Sequence, residues 1–202
     1  PGWNSPNAGN MPEPLIWDLG FYLFISVGWV IFVAGMMRWI KARYPHWGTW
    51  RLLVTAFVAP FIVDMIVEIF WVRTGMYVYP GAVDSWSLFS DRYYKFPIYE
   101  SIGAGMVYSA WAAFRYFTND KGQTFAEKGI EHVRASDAQK TFLRFLAITG
   151  ALNVIFLIFY SFLIQIWQVH PGTYPKEVQE RSYFNNGICG SGTDYACPGP
   201  NV

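Results

Sequence analysis

Two acidic residues interrupt a long apolar stretch in the segment VDMIVEIFW, and a third begins the next such stretch, in KFPIYES. Asp64 and Glu68 are four residues apart, which places both carboxyls on one face of a helix. Ionisable groups inside a membrane are costly, so these two residues and Glu100 are candidates for function. Two carboxyls in such a site cannot easily both ionise, which leaves a neutral acid beside a carboxylate. We therefore predict Asp64, Glu68 and Glu100 as catalytic acid/base residues that protonate a carbonyl, an alkene or a hydroxyl.

Aromatic and polar side chains accompany these carboxyls and are predicted to bind an apolar substrate. The rings of Trp71, Tyr77, Tyr79 and Tyr99 are expected to shape it and to stabilise a developing cation through their faces. If the helices pack together, these groups line one polar pocket that opens outward. The predicted substrate-binding residues are Trp71, Arg73, Tyr77, Tyr99 and Asn153.

Each assignment has a purely structural alternative. Asp64 or Glu68 pairs with Arg73, or hydrogen-bonds across helices, simply to hold a bundle together. Asn153 is then an interhelical contact, which is the commoner role of an amide in a membrane helix. The residues alone leave these alternatives open.

Four apolar stretches provide the elements that would position these residues. They lie at about residues 15–39, 52–72, 97–117 and 142–169. Each is about 20 residues or longer, enough to cross roughly 30 Å of hydrocarbon as a helix, and none shows the alternation of a membrane barrel strand. Apolar residues make up 53% of the 202-residue chain and charged residues only 14%, against about 25% in soluble domains. The sequence predicts an all-α, polytopic transmembrane helix bundle over residues 1–170 with about four spans.

The basic residues predict the orientation of this bundle. Ten of them fall in or beside the first and third loops, and five fall in the second loop and the C-terminal tail. Because cytoplasmic loops carry the excess of Lys and Arg, both ends of the chain are predicted to be extracytoplasmic. We expect an integral protein of a bacterial plasma membrane.

The two cysteines, Cys189 and Cys197, fall in the tail formed by residues 171–202. An oxidising exterior permits a disulfide between them. A metal pair is the alternative, but zinc sites need four ligands and no histidine lies nearby in the sequence. We predict the disulfide.

Several functions are not expected from this composition. The 15 basic and 14 acidic residues nearly balance, which argues against nucleic-acid binding. The three histidines do not cluster, and neither a phosphate-binding loop nor a GxSxG motif occurs. We expect no metal and no cofactor; a metal on the carboxyls is the weaker alternative to acid/base use.

Four segments together resemble a known family. They are DMIVEIFWVRTGMYVYPG, WSLFSDRYYKFPIYE, FRYFTNDKG and RSYFNNGICGSGTDYACPGP. In this order they resemble the AveC-like membrane proteins, which are common in actinobacteria and are named for the spiroketal cyclase of avermectin biosynthesis. Members are longer, so the chain is similar to their C-terminal part. The resemblance implies acid/base spiroketal formation, with dehydration, on a polyketide-like substrate; it assigns no catalytic residues.

Three functions follow as hypotheses. The first is a membrane-embedded acid/base cyclase or isomerase for a polyketide-like or lipid-like substrate, with Glu68 as acid and Asp64 or Glu100 as its partner. The second is a non-enzymatic accessory subunit or assembly factor, whose partners are other membrane proteins. The third is a membrane terpene cyclase that uses the same carboxyls on an isoprenoid. The lipid bilayer is an expected partner in all three.

Overall fold

The computed structural model describes residues 20, 22–79, 81–168 and 172–179. Four main helices follow one another: α1 (Leu23–Arg43), α2 (Thr49–Thr74), α3 (Ile98–Tyr116) and α4 (Asp137–Phe156). A π-helical turn (Leu157–Ser161) continues α4 into α5 (Phe162–Gln168), and a short α6 (Lys176–Gln179) follows. The predicted helical character is confirmed. The cysteine pair lies outside the described residues, so the disulfide stays a prediction.

Three of these helical stretches are long and apolar enough to cross a membrane: α1, α2 and the continuous stretch Asp137–Trp167. This finding is compatible with an integral membrane protein. The predicted span at 97–117 does form a helix, α3, but it is not among the three. Small and polar residues lower its hydropathy, and much of α3 is buried, so its surface is covered by protein and need not be apolar. The count of four spans therefore stays a prediction.

Local sequence explains where α4 starts. The Ser136 hydroxyl accepts a hydrogen bond from the Gln139 amide, and the Gln139 side chain accepts one from the Ser136 amide. This capping box satisfies two amides that the first turn leaves unpaired. The helix consequently begins five residues before the predicted apolar span.

The described residues divide into two compact units. Among these residues, the first unit includes 62–79, 81–102, 163–168 and 172–179, and the second includes 23–61 and 103–162. Helices α2 and α3 therefore each contribute one part to each unit.

The second unit contains a small core. One face of α1 contributes its buried residues, which pack with residues of α2 and with Ala112 of α3. Gly105 allows α3 to approach α2 closely, since a Cβ there would lie 3.1 Å from the Cβ of Phe61. Small residues are the usual means of close helix packing in membranes. The core residues are Val33, Ala34, Met37, Ile40, Leu52, Ala56 and Ala112.

In the first unit, the connection between α2 and α3 folds into a turn (Asp84–Trp86) and a short antiparallel ladder. Strand β1 (Ser87–Leu88) pairs with β2 (Phe96–Pro97), with Leu88 opposite Phe96. The sequence did not predict this ladder, because strands of two residues are too short to show a pattern. It places β2 immediately before the first turn of α3.

A buried ion pair joins this connection to the segment after α5. The Lys95 ammonium is 0% exposed, donates to Asp84 Oδ1 and also donates to the Thr173 carbonyl at 3.1 Å. Asp84 Oδ2 accepts from the amide and the hydroxyl of Thr173, at 3.2 and 2.9 Å. Burial alone would raise the pKa of Asp84, but the hydrogen bonds from Lys95 and Thr173 outweigh it and hold the pKa below its ordinary value.

We predict that loss of the Asp84 side chain destabilises the protein more than loss of the Lys95 ammonium. Asp84→Ala leaves the Lys95 charge buried without its partner and should lower the free energy of unfolding by about 3–5 kcal/mol. Lys95→Met leaves only the Asp84 carboxylate, whose side chain is 41% exposed, and should cost about 1 kcal/mol or less. Chemical unfolding in detergent measures both losses, with Asp91→Ala on the exposed pair with Arg92 as the control.

The stabilisation that Asp84 provides should be lost in acid. Because the folded pKa of Asp84 is lowered, its stabilisation is present above the ordinary carboxyl pKa of about 3.9. It is lost as the pH falls through the folded value, so wild type and Asp84→Asn should converge in acid. For the stability comparison, a larger fall in the free energy of unfolding for Lys95→Met than for Asp84→Ala would contradict the prediction.

A second prediction concerns Gly172, whose amide donates to the Gly81 carbonyl at 3.0 Å. A Cβ at Gly172 would lie 2.1 Å from the Ala82 carbonyl oxygen, so Gly172→Ala should detach residues 172–179 and lower the thermal unfolding midpoint. Gly150→Ala, with nothing within 4 Å of its added Cβ, is the control. Limited proteolysis should cleave the chain after α5 in Gly172→Ala but not in Gly150→Ala. Equal resistance of the two variants would show that Gly172 does not hold residues 172–179 in place.

Candidate functional site

The three predicted acidic residues converge within the first unit. Asp64 and Glu68 share one face of α2, and Glu100 lies in the first turn of α3. One carboxylate oxygen from each residue can be chosen so that all three lie within 4.8 Å of one another. The structure thus brings these three residues together, and we call Asp64, Glu68 and Glu100 the carboxylate trio; their catalytic role stays a prediction.

The trio is largely removed from water. Asp64 is 8% exposed and Glu100 is 7% exposed, while Glu68 is half-buried. Asp64 lies within hydrogen-bonding reach of the Glu100 side chain, and the buried Ser101 hydroxyl forms no hydrogen bond among the described residues. Its Oδ2 atom is fully buried and has no hydrogen-bond donor among the described residues.

Two tyrosines converge on Glu68. The hydroxyls of Tyr77 and Tyr79 both donate to the same oxygen, Glu68 Oε2, the second at 2.8 Å. Their rings meet edge to face at 5.5 Å, and Trp71 lies 6.4 Å from the Tyr77 ring. Burial, together with the charge of Glu68, raises the pKa of Tyr77 above its ordinary value, which keeps the phenol protonated and able to donate.

A glycine at the end of α2 brings these tyrosines back to the helix. Gly75 has φ 76°; its amide donates to the Val72 carbonyl at 3.1 Å, and the Met76 amide donates to the Trp71 carbonyl at 3.2 Å. This pair of bonds is the Schellman motif, which needs the left-handed conformation that glycine adopts without strain. The chain reverses here, so that residues 77 and 79 reach Glu68, which lies 9 and 11 residues earlier in the chain. The sequence predicted both rings near the site but not their shared hydrogen-bond acceptor.

Arg73 is directed elsewhere. Its guanidinium lies over the rings of Phe89 and Tyr94, at 4.8 and 4.6 Å from their centroids. Such cation–π contacts hold an arginine at an aromatic surface. Among the described residues, Arg73 forms no ion pair with the trio, so the structural alternative that pairs it with Asp64 or Glu68 receives no support.

Tyr99 directly precedes Glu100 in the sequence, and its ring belongs to an aromatic cluster. Its ring stacks on Trp167 at 5.4 Å with 12° between the planes, and Trp86 lies 4.9 Å from Trp167. The Tyr99 hydroxyl accepts a hydrogen bond from the Val83 amide at 3.3 Å. Its contacts therefore tie α3 to α5 and to the connection that precedes β1.

Asn153 is not brought to the trio by any described contact. It belongs to the second unit, and its amide donates to the Thr149 carbonyl of its own helix at 2.8 Å. Its role as a substrate-binding residue stays a prediction.

Charge balance decides what the trio can do. Two ionised carboxylates with oxygens about 4.8 Å apart would repel by roughly 3.5 kcal/mol at an effective dielectric constant of 20. Retained protons, a bound cation or hydrogen-bond donors such as the two tyrosine hydroxyls on Glu68 would each reduce this repulsion. Carboxylate oxygens are the donors that Mg²⁺, Ca²⁺ and Mn²⁺ prefer, so the same residues could hold a hard divalent ion; the expected absence of a metal is not tested. Retained protons would provide acid/base chemistry.

Comparison with protein-family models gives a match over most of the chain. The model of a family described as Spirocyclase AveC-like matches residues 1–184. The match includes the trio, Tyr77 and Tyr79. No curated protein and no solved structure matches the chain.

We predict that Asp64→Asn does not destabilise the protein. The substitution removes one of three clustered acids, and the new amide can donate a hydrogen bond to a neighbouring carboxylate. The thermal unfolding midpoint in detergent should stay the same or rise, the pattern expected where a site is built for function at the expense of stability. A fall as large as that of Asp84→Ala would show that Asp64 has a structural role instead.

Proposed function

Because the chain belongs to the spirocyclase AveC-like family, which suggests a cyclase or isomerase function, we propose that it is a membrane-embedded acid/base enzyme. Its proposed substrate is an apolar polyketide-like or lipid-like molecule. The observation that carries the proposal is the convergence of Asp64, Glu68 and Glu100, with one carboxylate oxygen of each within 4.8 Å of the others. We place the protein in a bacterial plasma membrane with both ends of the chain extracytoplasmic.

Spiroketal formation needs the two proton transfers that such a site supplies. One hydroxyl of a dihydroxyketone adds to the ketone, and its proton passes to the carbonyl oxygen to give a hemiketal. A neutral carboxyl then donates a proton to the hemiketal hydroxyl, which leaves as water, and an oxocarbenium ion forms. The second hydroxyl attacks this ion and gives its proton to a carboxylate. One water is released and no net proton is consumed, so the enzyme needs only an acid and a base held close together.

The surroundings of the trio suit this sequence of steps. The ring of Trp71 adjoins the ring of Tyr77, and aromatic faces stabilise a developing cation. Burial strengthens the attraction between the oxocarbenium ion and the remaining carboxylates, because the effective dielectric constant is low. A charge that develops only in the transition state is thereby stabilised selectively.

A second candidate function rests on the surface of α4 and α5. Large apolar side chains there are exposed in the isolated chain, which suits contact with lipid or with another membrane protein. An accessory subunit of a larger complex would use this surface, which we call the α4–α5 flank. It comprises Phe142, Phe145, Leu146, Val154, Leu157, Ile158, Phe162 and Ile166.

The test is turnover of a synthetic dihydroxyketone by the protein in lipid nanodiscs, followed by chiral chromatography of the spiroketal. Wild type should yield one stereoisomer faster than the spontaneous reaction. Glu68→Gln and Glu100→Gln should each lower kcat by about 100-fold or more, the usual contribution of a general acid or base. The control is Asp91→Asn, an acidic residue with a 77% exposed side chain.

Other results would contradict the proposal. Equal turnover by wild type and Glu68→Gln would remove the acid/base role. Cyclisation of an isoprenoid but of no dihydroxyketone would identify a terpene cyclase. Inactivity on both classes, with stable co-purification of a membrane partner that protects the α4–α5 flank from labelling, would identify an accessory subunit.

A further inference from the structure

The members of the carboxylate trio have different hydrogen-bond environments, and this difference assigns their roles. We infer that Tyr77 and Tyr79 are positioning residues that hold Glu68 as the ionised base, while Asp64 and Glu100 share one proton and form the acid. This inference rests on the proposed function for its chemical meaning. It reverses the sequence-based expectation that Glu68 is the acid.

The first step concerns Glu68. Both phenol hydroxyls donate to its Oε2 atom, and hydrogen bonds to an ionised acceptor are about twice as strong as those between neutral groups. Two such donors therefore favour the carboxylate form of Glu68. Neither bond uses Oε1, which remains available to accept a proton from a substrate hydroxyl.

The second step concerns Asp64 and Glu100. Both are more than nine-tenths buried, and their side chains lie within hydrogen-bonding reach of each other. Asp64 Oδ2 lacks a donor among the described residues, and a buried acceptor without a donor is costly. A proton shared with Glu100 gives Asp64 a donor within the pair and removes the repulsion between two charges. The pair is therefore the acid.

The third step concerns the return of the proton. After the second hydroxyl has given its proton to Glu68, the acid pair is one proton short. One carboxylate oxygen from each member of the trio lies within 4.8 Å of the others, a distance that one bridging water can span to return the proton. The enzyme is thereby reset without exchanging protons with the bulk solvent.

Tyr77 and Tyr79 act through Glu68 and are held by the main chain. Gly75 reverses the chain after α2, and the Tyr79 ring also packs edge to face on Phe96 of β2 at 6.1 Å. Removing both hydroxyls would leave the rings in place and take away the donors of Glu68. The Tyr77→Phe/Tyr79→Phe double variant is therefore a selective test.

The experiment is infrared spectroscopy of the protein in nanodiscs at neutral pH, where only a protonated carboxyl gives the carboxylic-acid carbonyl band. Wild type should show this band from a buried group, with a small shift in D₂O. Asp64→Asn and Glu100→Gln should each shift or abolish it. Glu68→Gln and the exposed control Asp91→Asn should leave it unchanged.

The tyrosine variants provide the second measurement. Tyr77→Phe/Tyr79→Phe should add a second carboxylic-acid band, because Glu68 without its donors takes up a proton, and Glu68→Gln in that background should remove the new band. Tyr93→Phe, whose hydroxyl donates to the Arg73 carbonyl instead, should add none. In turnover assays the double variant should lower kcat at least tenfold with little change in KM.

The outcomes separate this inference from the proposed function, because the spectra need no substrate. A band lost only in Glu68→Gln would overturn the inference even if turnover requires the trio. A band that appears in wild type only after treatment with a divalent-cation chelator would also overturn it, since a metal ion would then replace the shared proton. The expected bands in a protein that turns over no dihydroxyketone would support the assignment and refute the spiroketal function alone.

Discussion

Convergence of three carboxyls from α2 and α3, two of them buried, is the constraint on which the rest of the first unit depends. Asp64, Glu68 and Glu100 each bring a carboxylate oxygen within 4.8 Å of the others, a distance at which ionised carboxylates repel one another. Their charge must therefore be reduced by shared protons or a cation, or stabilised by donors such as the two tyrosine hydroxyls on Glu68. A site in this condition is poised to give and take protons.

The donors come from a connection that is fixed at two points. At the start, Gly75 ends α2 in a left-handed turn and returns the chain toward Glu68. At the far end, the buried Lys95 joins Asp84 to the Thr173 carbonyl. Each anchor satisfies its own hydrogen bonds away from the trio. The connection is thus held without using the groups that the chemistry needs.

An acid and a base in contact also fit the reaction type that the family suggests. Spiroketal formation moves protons in both directions and releases only water, so an enzyme that recycles one proton among neighbouring carboxyls needs nothing further. Large apolar side chains of α4 and α5 are exposed in the described structure, which suits the lipid or partner contact proposed for them. Either environment would keep bulk water away from reactive intermediates and bring an apolar substrate within reach.

Local sequence patterns determined much of this protein, because they depend on residues close together in the chain. The spacing of Asp64 and Glu68, the capping box of Ser136 and the apolar character of the three long helical stretches could all be predicted. Only the tertiary structure decided what depends on distant residues. It placed Glu100 beside α2, directed Tyr79 to Glu68 and turned Arg73 onto aromatic rings, and it buried Lys95, a lone lysine that would otherwise be expected in solvent. It also covered α3, whose small and polar residues need protein rather than lipid around them. Neighbours brought together by folding, and not the residues themselves, determine which charges are paired and which remain available for chemistry.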